Sequence, residues 1–304
     1  MDESTRLLYI SSLPLYTREI PYYVFEKLPP GYPYTNIEYT LGPPQLIRDV
    51  RGREEEFGLD THGFVYKPFQ PPSGIDYGDE EALRKKYFPV VEGWLKDLLG
   101  GQVVRAEVFD FRQQRARAMF KTKTSRSNEQ AVQMRDATLK DYGNPDVHNY
   151  MAVIPPVPVI HADQSPAGVL GWMHRNLQDV DSLIAKYRVR LFTVWRPITP
   201  LVEDVSLTVC DARTSCRADF LEVEFVDRTV VRRNYMAMYS DKFEFYYQSR
   251  MTDGECCVFK VFDSDAAVPA KCVPHGAFTH ALPHREGTVP RRSIEVRFLV
   301  FSEV

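Results

Sequence analysis

The chain has 304 residues, long enough to bury a sizeable core without disulfides or a structural metal, which excludes a stapled mini-protein. Hydrophobic residues make up 44% and charged residues 26%, and no apolar run approaches the ~18 residues of a membrane helix, so no membrane partner is expected. The 38 basic and 41 acidic side chains leave a net charge of −3, which gives no electrostatic reason to expect nucleic acid.

The start, Met-Asp-Glu-Ser-Thr, is acidic and polar, whereas a secretory signal needs a basic segment followed by an apolar one; a cytoplasmic location is expected. Five cysteines (Cys210, Cys216, Cys256, Cys257 and Cys272) form no CxxC, which argues against a zinc site or a disulfide framework. With 22 Pro, 18 Phe, 17 Tyr and 3 Trp beside 16 Gly, the composition suits short aromatic and β-branched strands joined by Pro-punctuated loops.

The first 75 residues carry Pro29-Pro30-Gly31, Pro43-Pro44 and Pro71-Pro72 and read as an extended arm wrapped on the core, with short strands at most. Residues 79–99 read as a helix, acidic at Asp79, Glu80 and Glu81, apolar at Leu83, Tyr87, Val91, Trp94 and Leu98, and stopped by Gly100-Gly101. Pro89 should kink or split it. A strand follows over 103–111, then a polar, basic loop with a short helix over 121–149. Residues 151–160 are apolar but hold three prolines, an edge or entry strand. A second helix spans 166–187, with Ser165 as N-cap and Pro166 in its first turn. Strands are then expected at 190–195, 206–209, 220–226, 243–247, 256–262 and 294–301. Short strands without intervening helices exclude a parallel α/β sheet and predict a mainly β chain with flanking helices, a sandwich or jelly roll.

In Ile160-His161-Ala162-Asp163-Gln164 a His and an Asp stand two apart at the end of an apolar strand, where alternation puts both on one face. His275 lies far along, between two strands. Two imidazoles and a carboxylate on a β scaffold can form the facial triad of non-haem Fe(II), which leaves three coordination positions open. HxD alone also fits a surface His beside a turn Asp. Fifteen residues or so beyond His275, Arg291 and Ser293 share a strand face and could hold a terminal carboxylate by a bidentate pair and a hydrogen bond, the demand made by 2-oxoglutarate. Arg285, Arg292 and Arg297 stay open as the anchor. Arg196 could meet a substrate carboxylate or pair with Asp204 or Asp211; Tyr246 and Tyr247 read as core or rim aromatics, Tyr247 also as a substrate contact. Asn149 and Gln164 flank the metal strand and could orient its ligands. His174 is not counted as a ligand, and His280 or His284 could stand in for His275.

Several motifs now stand in one order: Phe57-Gly-Leu-Asp60-Thr-His-Gly63-Phe64, His161-Ala-Asp-Gln-Ser-Pro166, Val194-Trp-Arg-Pro197, Phe259-Lys-Val-Phe-Asp263, Pro274-His275-Gly-Ala-Phe278 and Pro290-Arg-Arg-Ser-Ile-Glu-Val-Arg297. From about Phe57 onward the sequence resembles the fungal gibberellin-desaturase and cephem-methoxylase-like family. The resemblance implies a cupin-like double-stranded β-helix oxygenase using Fe(II), 2-oxoglutarate and O2 on a small molecule of secondary metabolism, by C–H abstraction leading to hydroxylation, desaturation or cyclisation. It implies His161, Asp163 and His275 as catalytic iron ligands and Arg291 with Ser293 as the co-substrate anchor. It also implies one oxygenase domain over 1–304, an N-terminal arm with helices over 1–150 and a jelly-roll core over 151–304. Two other readings differ: an Fe(II) oxidase without 2-oxoglutarate, whose Arg/Ser pair binds a substrate carboxylate, and a non-catalytic cupin-like binding protein. The outcome of C–H abstraction, the substrate and the oligomeric state stay open.

Overall fold

The computed structural model describes residues 1–116, 153–281 and 287–304. The strands, in chain order, are β1 (Glu3–Ile10), β2 (Tyr22–Val24), β3 (Tyr39–Asp49), β4 (Phe64–Pro68), β5 (Val103–Arg115), β6 (Val153–Ile154), β7 (His161–Gln164) and β8 (Arg188–Pro197). They continue as β9 (Val205–Cys210), β10 (Phe220–Val226), β11 (Val231–Ala237), β12 (Phe245–Tyr247), β13 (Glu255–Asp263), β14 (His275–Thr279) and β15 (Arg292–Ser302). Two mixed sheets result: β1-β3-β12-β9-β14-β7-β11-β10-β2 and β4-β13-β8-β15-β5-β6. The expectation of a mainly β chain is met.

One apolar core is filled by both sheets, Leu207 and Val209 from the first meeting Leu191, Trp195, Phe259 and Phe301 from the second. The other face of the six-stranded sheet is covered by the 79–99 segment. Asp79 caps it, its carboxylate accepting from the Glu81 N–H at 2.9 Å, and a helical turn α1 (Glu80–Ala82) passes through a π-type turn (Leu83–Tyr87) into α2 (Phe88–Leu99). Pro89 lies just after the π-type turn, so the helix neither ends nor splits at the proline but carries a π-type irregularity before it. Phe88, Val91 and Leu95 bury one stripe on the sheet, about 1.5–3 kcal/mol for each large side chain.

Two expectations need correction. The N-terminal arm is no loose wrap with short strands: β1 pairs along β3, an 11-residue strand that contains Pro43 and Pro44. The prolines are tolerated because the ladder slips between Arg6 and Leu8, opposite them. The 166–187 helix is two, α3 (Pro166–Asn176) and α4 (Val180–Lys186), with Asp179 between them in the left-handed region at φ 53°. Its start is as expected, the Ser165 hydroxyl accepting from the Gly168 N–H at 3.1 Å. β6 is an edge strand of two residues that stops at Pro155-Pro156, where a ladder could not continue. The basic segment 121–149, with Asn149, lies outside the described residues, as do His284 and Arg285.

Candidate metal centre

β7 lies between β14 and β11, and His161 is in register with both His275 and Met236. Cross-strand pairing therefore brings together two histidines that are 114 positions apart, their ring centroids 4.3 Å from each other. Each imidazole is held from behind: Nδ1 of His161 is 2.7 Å from the Val159 carbonyl oxygen, and Nδ1 of His275 is 2.9 Å from that of Val273. A carbonyl only accepts, so Nδ1 carries the proton in both rings and the Nε2 lone pairs are free. Both Nε2 atoms face Asp163, at 3.6 Å from Oδ1 for His161 and 3.6 Å from Oδ2 for His275.

Asp163 does not sit in plain strand geometry. Its φ is 52°, left-handed backbone that Asp tolerates better than most residues, and the β7–β11 register breaks between Asn234 and Met236 beside it. The bend turns the carboxylate toward the imidazoles, and one ligand atom from each of His161, Asp163 and His275 lies within 4.8 Å of the others. Among the described residues this is the one such group. Burial pushes the Asp163 carboxyl up, but the Arg297 guanidinium and then the two imidazoles outweigh it and hold it at about 2. Burial, with His161 adding, lowers His275 to about 3, so its ring is neutral at pH 7. A carboxylate and two imidazoles, each held through Nδ1 with Nε2 turned toward it, are the donor set of a divalent transition metal, and the set fits Fe(II).

The triad opens on a cavity of about 200 Å³ between the sheets. From the six-stranded sheet it is lined by Asp110, Gln114, Trp195, Arg291, Glu295 and Arg297. The opposite wall and mouth carry Gln164, Asn234, Met236, Trp172 and Arg175, with Tyr23, Phe25 and Tyr39 from the arm.

Arg291 and Ser293 are each 1% exposed. The Arg291 guanidinium donates from Nη1 to the Val205 carbonyl at 3.1 Å and from Nη2 to Gln114 Oε1 at 2.7 Å, and lies 5.3 Å from the Trp195 ring centroid. Its Nε and the Ser293 Oγ have no hydrogen-bond partner. Burial lowers Arg291 to about 10, still a cation at neutral pH. A buried cation with an orphaned donor, beside an orphaned hydroxyl, is a fit for a ligand carboxylate. Arg297 is different, because three carboxylates already occupy its fork: Asp163, Asp110 and Glu295. Arg292 is exposed, on the other face of β15.

The structure does not bring Arg196 and Tyr247 to the cavity. On β8 it is Trp195 that faces the cavity, so Arg196 points the opposite way, toward α2. There its Nη1 donates to the Tyr77 hydroxyl at 2.9 Å and the guanidinium lies 5.7 to 5.9 Å from the rings of Phe69, Tyr77 and Tyr87. It pairs with neither Asp204, which accepts from the Arg291 backbone N–H, nor Asp211, which pairs with Arg213. Tyr247 is core, its hydroxyl donating to the Met1 carbonyl at 2.5 Å. His280 is tied to Ser206 and Glu3, and His174 is exposed. Gln164 lines the cavity, and its Oε1 has no hydrogen-bond partner. Sequence reasoning missed Asp110, Gln114 and Trp195. The signal for Glu295 and Arg297 was the alternation of charge along an otherwise apolar strand, which marks the cavity wall.

The family described as oxidoreductase/YMDC permease-like domain matches residues 7–301. The chain belongs to that family. Among its relatives, the Fe(II)/2-oxoglutarate-dependent dioxygenase nvfI of Aspergillus novofumigatus is 27% identical over 93% of this chain and 91% of its own length. The hydroxylase/desaturase CTB9 of Cercospora beticola is 29% identical over 84% of this chain and 76% of its own. A solved structure, the iron and alpha-ketoglutarate-dependent endoperoxidase NvfI, superposes with a TM-score of 0.77 at 24% identity, covering 100% of this chain and 99% of that one. This chain thus shares the jelly-roll-like fold of a dioxygenase. No described helix is long and apolar enough to cross a membrane.

Proposed function

We propose that this chain is a non-haem Fe(II)/2-oxoglutarate-dependent oxygenase acting on a small molecule of secondary metabolism. The observation that carries the reading is the convergence of His161, Asp163 and His275, each held from behind, on one point beside a cavity with a carboxylate-ready arginine. His161 Nε2, His275 Nε2 and one oxygen of Asp163 would hold the metal. Arg291 and Ser293, both with a donor to spare, would take the far carboxylate of 2-oxoglutarate. When bound, iron with 2-oxoglutarate and O2 supplies the oxidant that removes hydrogen from a substrate C–H bond.

The residues around it position and exclude. The Val159 and Val273 carbonyls fix the imidazole tautomers, and the arginine fork of Arg297 keeps Asp163 ionised. Trp195 shields the Arg291 guanidinium with its ring face. Trp172, Met236 and the arm residues Tyr23, Phe25 and Tyr39 offer an apolar mouth, and Gln164 and Asn234 offer carboxamides, so the substrate is read as an apolar body with polar oxygens.

The finer readings belong to the same proposal. The two sheets are read as the double-stranded β-helix of a single oxygenase domain over 1–304, with 1–150 supplying the arm, helices and strands β1 to β5, and 151–304 the remaining strands and the metal site. The narrower kinship is with gibberellin-desaturase and cephem-methoxylase-like enzymes. A cytoplasmic home is supported by five unpaired cysteines. The test is succinate formation: purified protein with Fe(II), O2 and 2-oxoglutarate should release succinate and the Asp163→Ala variant should not. Substrate turnover without succinate would replace this reading with the oxidase that needs no 2-oxoglutarate.

A further inference from the structure

Arg297 stands out among the charged residues of β15 because it alone reaches the triad. Its Nε–H donates to Asp163 Oδ2 at 3.0 Å and its Nη2–H to Asp163 Oδ1 at 3.1 Å, so a planar fork spans both oxygens of the carboxylate. Its other donors are committed as well, Nη1 to Asp110 Oδ1 at 2.9 Å and Nη2 to Glu295 Oε1 at 2.6 Å. All four residues are at the cavity wall, and Asp163, Glu295 and Arg297 are buried. The oxygens gripped by the fork are the same two that face the imidazoles.

We propose that Arg297 is the positioning residue for Asp163, with Asp110 and Glu295 as the braces that keep its guanidinium in place. The proposal rests on the reading of His161, Asp163 and His275 as a metal site. A carboxylate can give a metal one oxygen or two, and the second mode would use up a coordination position that a facial triad must leave open. The fork fixes the carboxylate plane and keeps a donor on each oxygen, so that the side chain gives one oxygen to the metal while the other stays hydrogen-bonded. It also ties down the left-handed backbone at residue 163, which has no glycine to make that conformation easy. A lysine would satisfy the charge but not span two oxygens.

The test is anaerobic titration of the full chain with Co(II), read by its visible absorption, followed by 2-oxoglutarate. Arg297→Lys keeps the charge and removes the fork; it should weaken Co(II) by about 10- to 100-fold and change the band shape, with unchanged near-UV circular dichroism. Asp110→Asn keeps an acceptor oxygen for Nη1 and removes only the charge of one brace, and should weaken Co(II) less than Arg297→Lys does. Should Arg297→Lys not fold, Arg297→Gln combined with Asp110→Asn and Glu295→Gln removes the buried cation together with two of its counter-charges and carries the same expectation. An Arg297→Lys protein, or that triple variant, with parental affinity and spectrum would overturn the positioning role while the metal site stood. No Co(II) binding by the parent, or equal binding by Asp163→Ala, would overturn the metal-site reading and the positioning role with it.

Discussion

At the triad each imidazole is locked through Nδ1 by the carbonyl two positions earlier, Val159 for His161 and Val273 for His275. Asp163 is locked by Arg297. Preorganisation of this kind means that loss of one donor is not made good by movement of the others, so Asp163→Ala should abolish Fe(II) binding in an equilibrium titration. Arg291 carries a separate prediction. If its guanidinium pairs with the co-substrate, Arg291→Gln removes a charge-assisted bond of about 1.5–3 kcal/mol and should raise the Kd for 2-oxoglutarate about 10- to 150-fold, with Fe(II) affinity retained. The candidate metal ligands, which the structure brings together, were legible because HxD and the Pro-His pair are compact signals. The reason offered for their convergence was incomplete, since alternation alone would not aim Asp163; its left-handed bend does. Arg196 was misplaced for a physical cause. β8 is buried almost throughout, so its sequence has no polar face to show which side lines the cavity.

The motif from Phe57 to Phe64 is anchored by an ion network. Lys260 on β13, fully buried, donates to Asp60 at 2.7 Å and to Asp263 at 2.5 Å, and Arg188 at the start of β8 pairs with both carboxylates at 2.6 Å. Removing the buried cation leaves Asp263 with Arg188 as its remaining cation, so Lys260→Met should destabilise the protein by less than the about 3–5 kcal/mol of a fully broken buried pair, measured by urea unfolding. Burial opposes ionisation of Asp60 and Asp263, but Arg188 and Lys260 hold both carboxyls below the usual range. A depressed carboxylate adds stability that is present above its unfolded pKa of about 3.9 and fades as pH falls through the folded value. Acid should therefore weaken the protein below about pH 4, and less steeply in Asp60→Asn. A second element-scale prediction concerns α3. A Cβ on Gly168 would stand 2.1 Å from the Arg233 carbonyl oxygen of β11, so Gly168→Ala must push the helix off the cavity wall, at about 1–3 kcal/mol in unfolding stability. Strands β11 and β14 went unread in the sequence. β11 carries Arg232, Arg233 and Asn234, and these polar residues, which line the cavity with Tyr235 and Met236, hide the strand in the sequence.

Across the whole molecule, two sheets share one core and the candidate triad of His161, Asp163 and His275 sits on the nine-stranded sheet facing the charged wall of the six-stranded one. The mainly β character followed from the strand periodicity of the C-terminal half. The N-terminal arm did not, because its prolines lie where the β1–β3 ladder slips, a compensation invisible without the partner strand. That arm contributes Tyr23, Phe25 and Tyr39 to the cavity lining, so both ends of the chain form its walls. Ligands that bind the folded state alone stabilise it by mass action, about 2.7 kcal/mol at one hundred times Kd. Fe(II) with 2-oxoglutarate should thus raise the anaerobic Tm by several degrees in the parent protein and leave Asp163→Ala unmoved. The most direct measurement is the anaerobic titration of the protein with Fe(II) and then 2-oxoglutarate, followed in the visible range. A weak charge-transfer band that saturates at one equivalent, and is missing in Asp163→Ala, is the predicted result; a featureless spectrum with both ligands in excess would contradict the account.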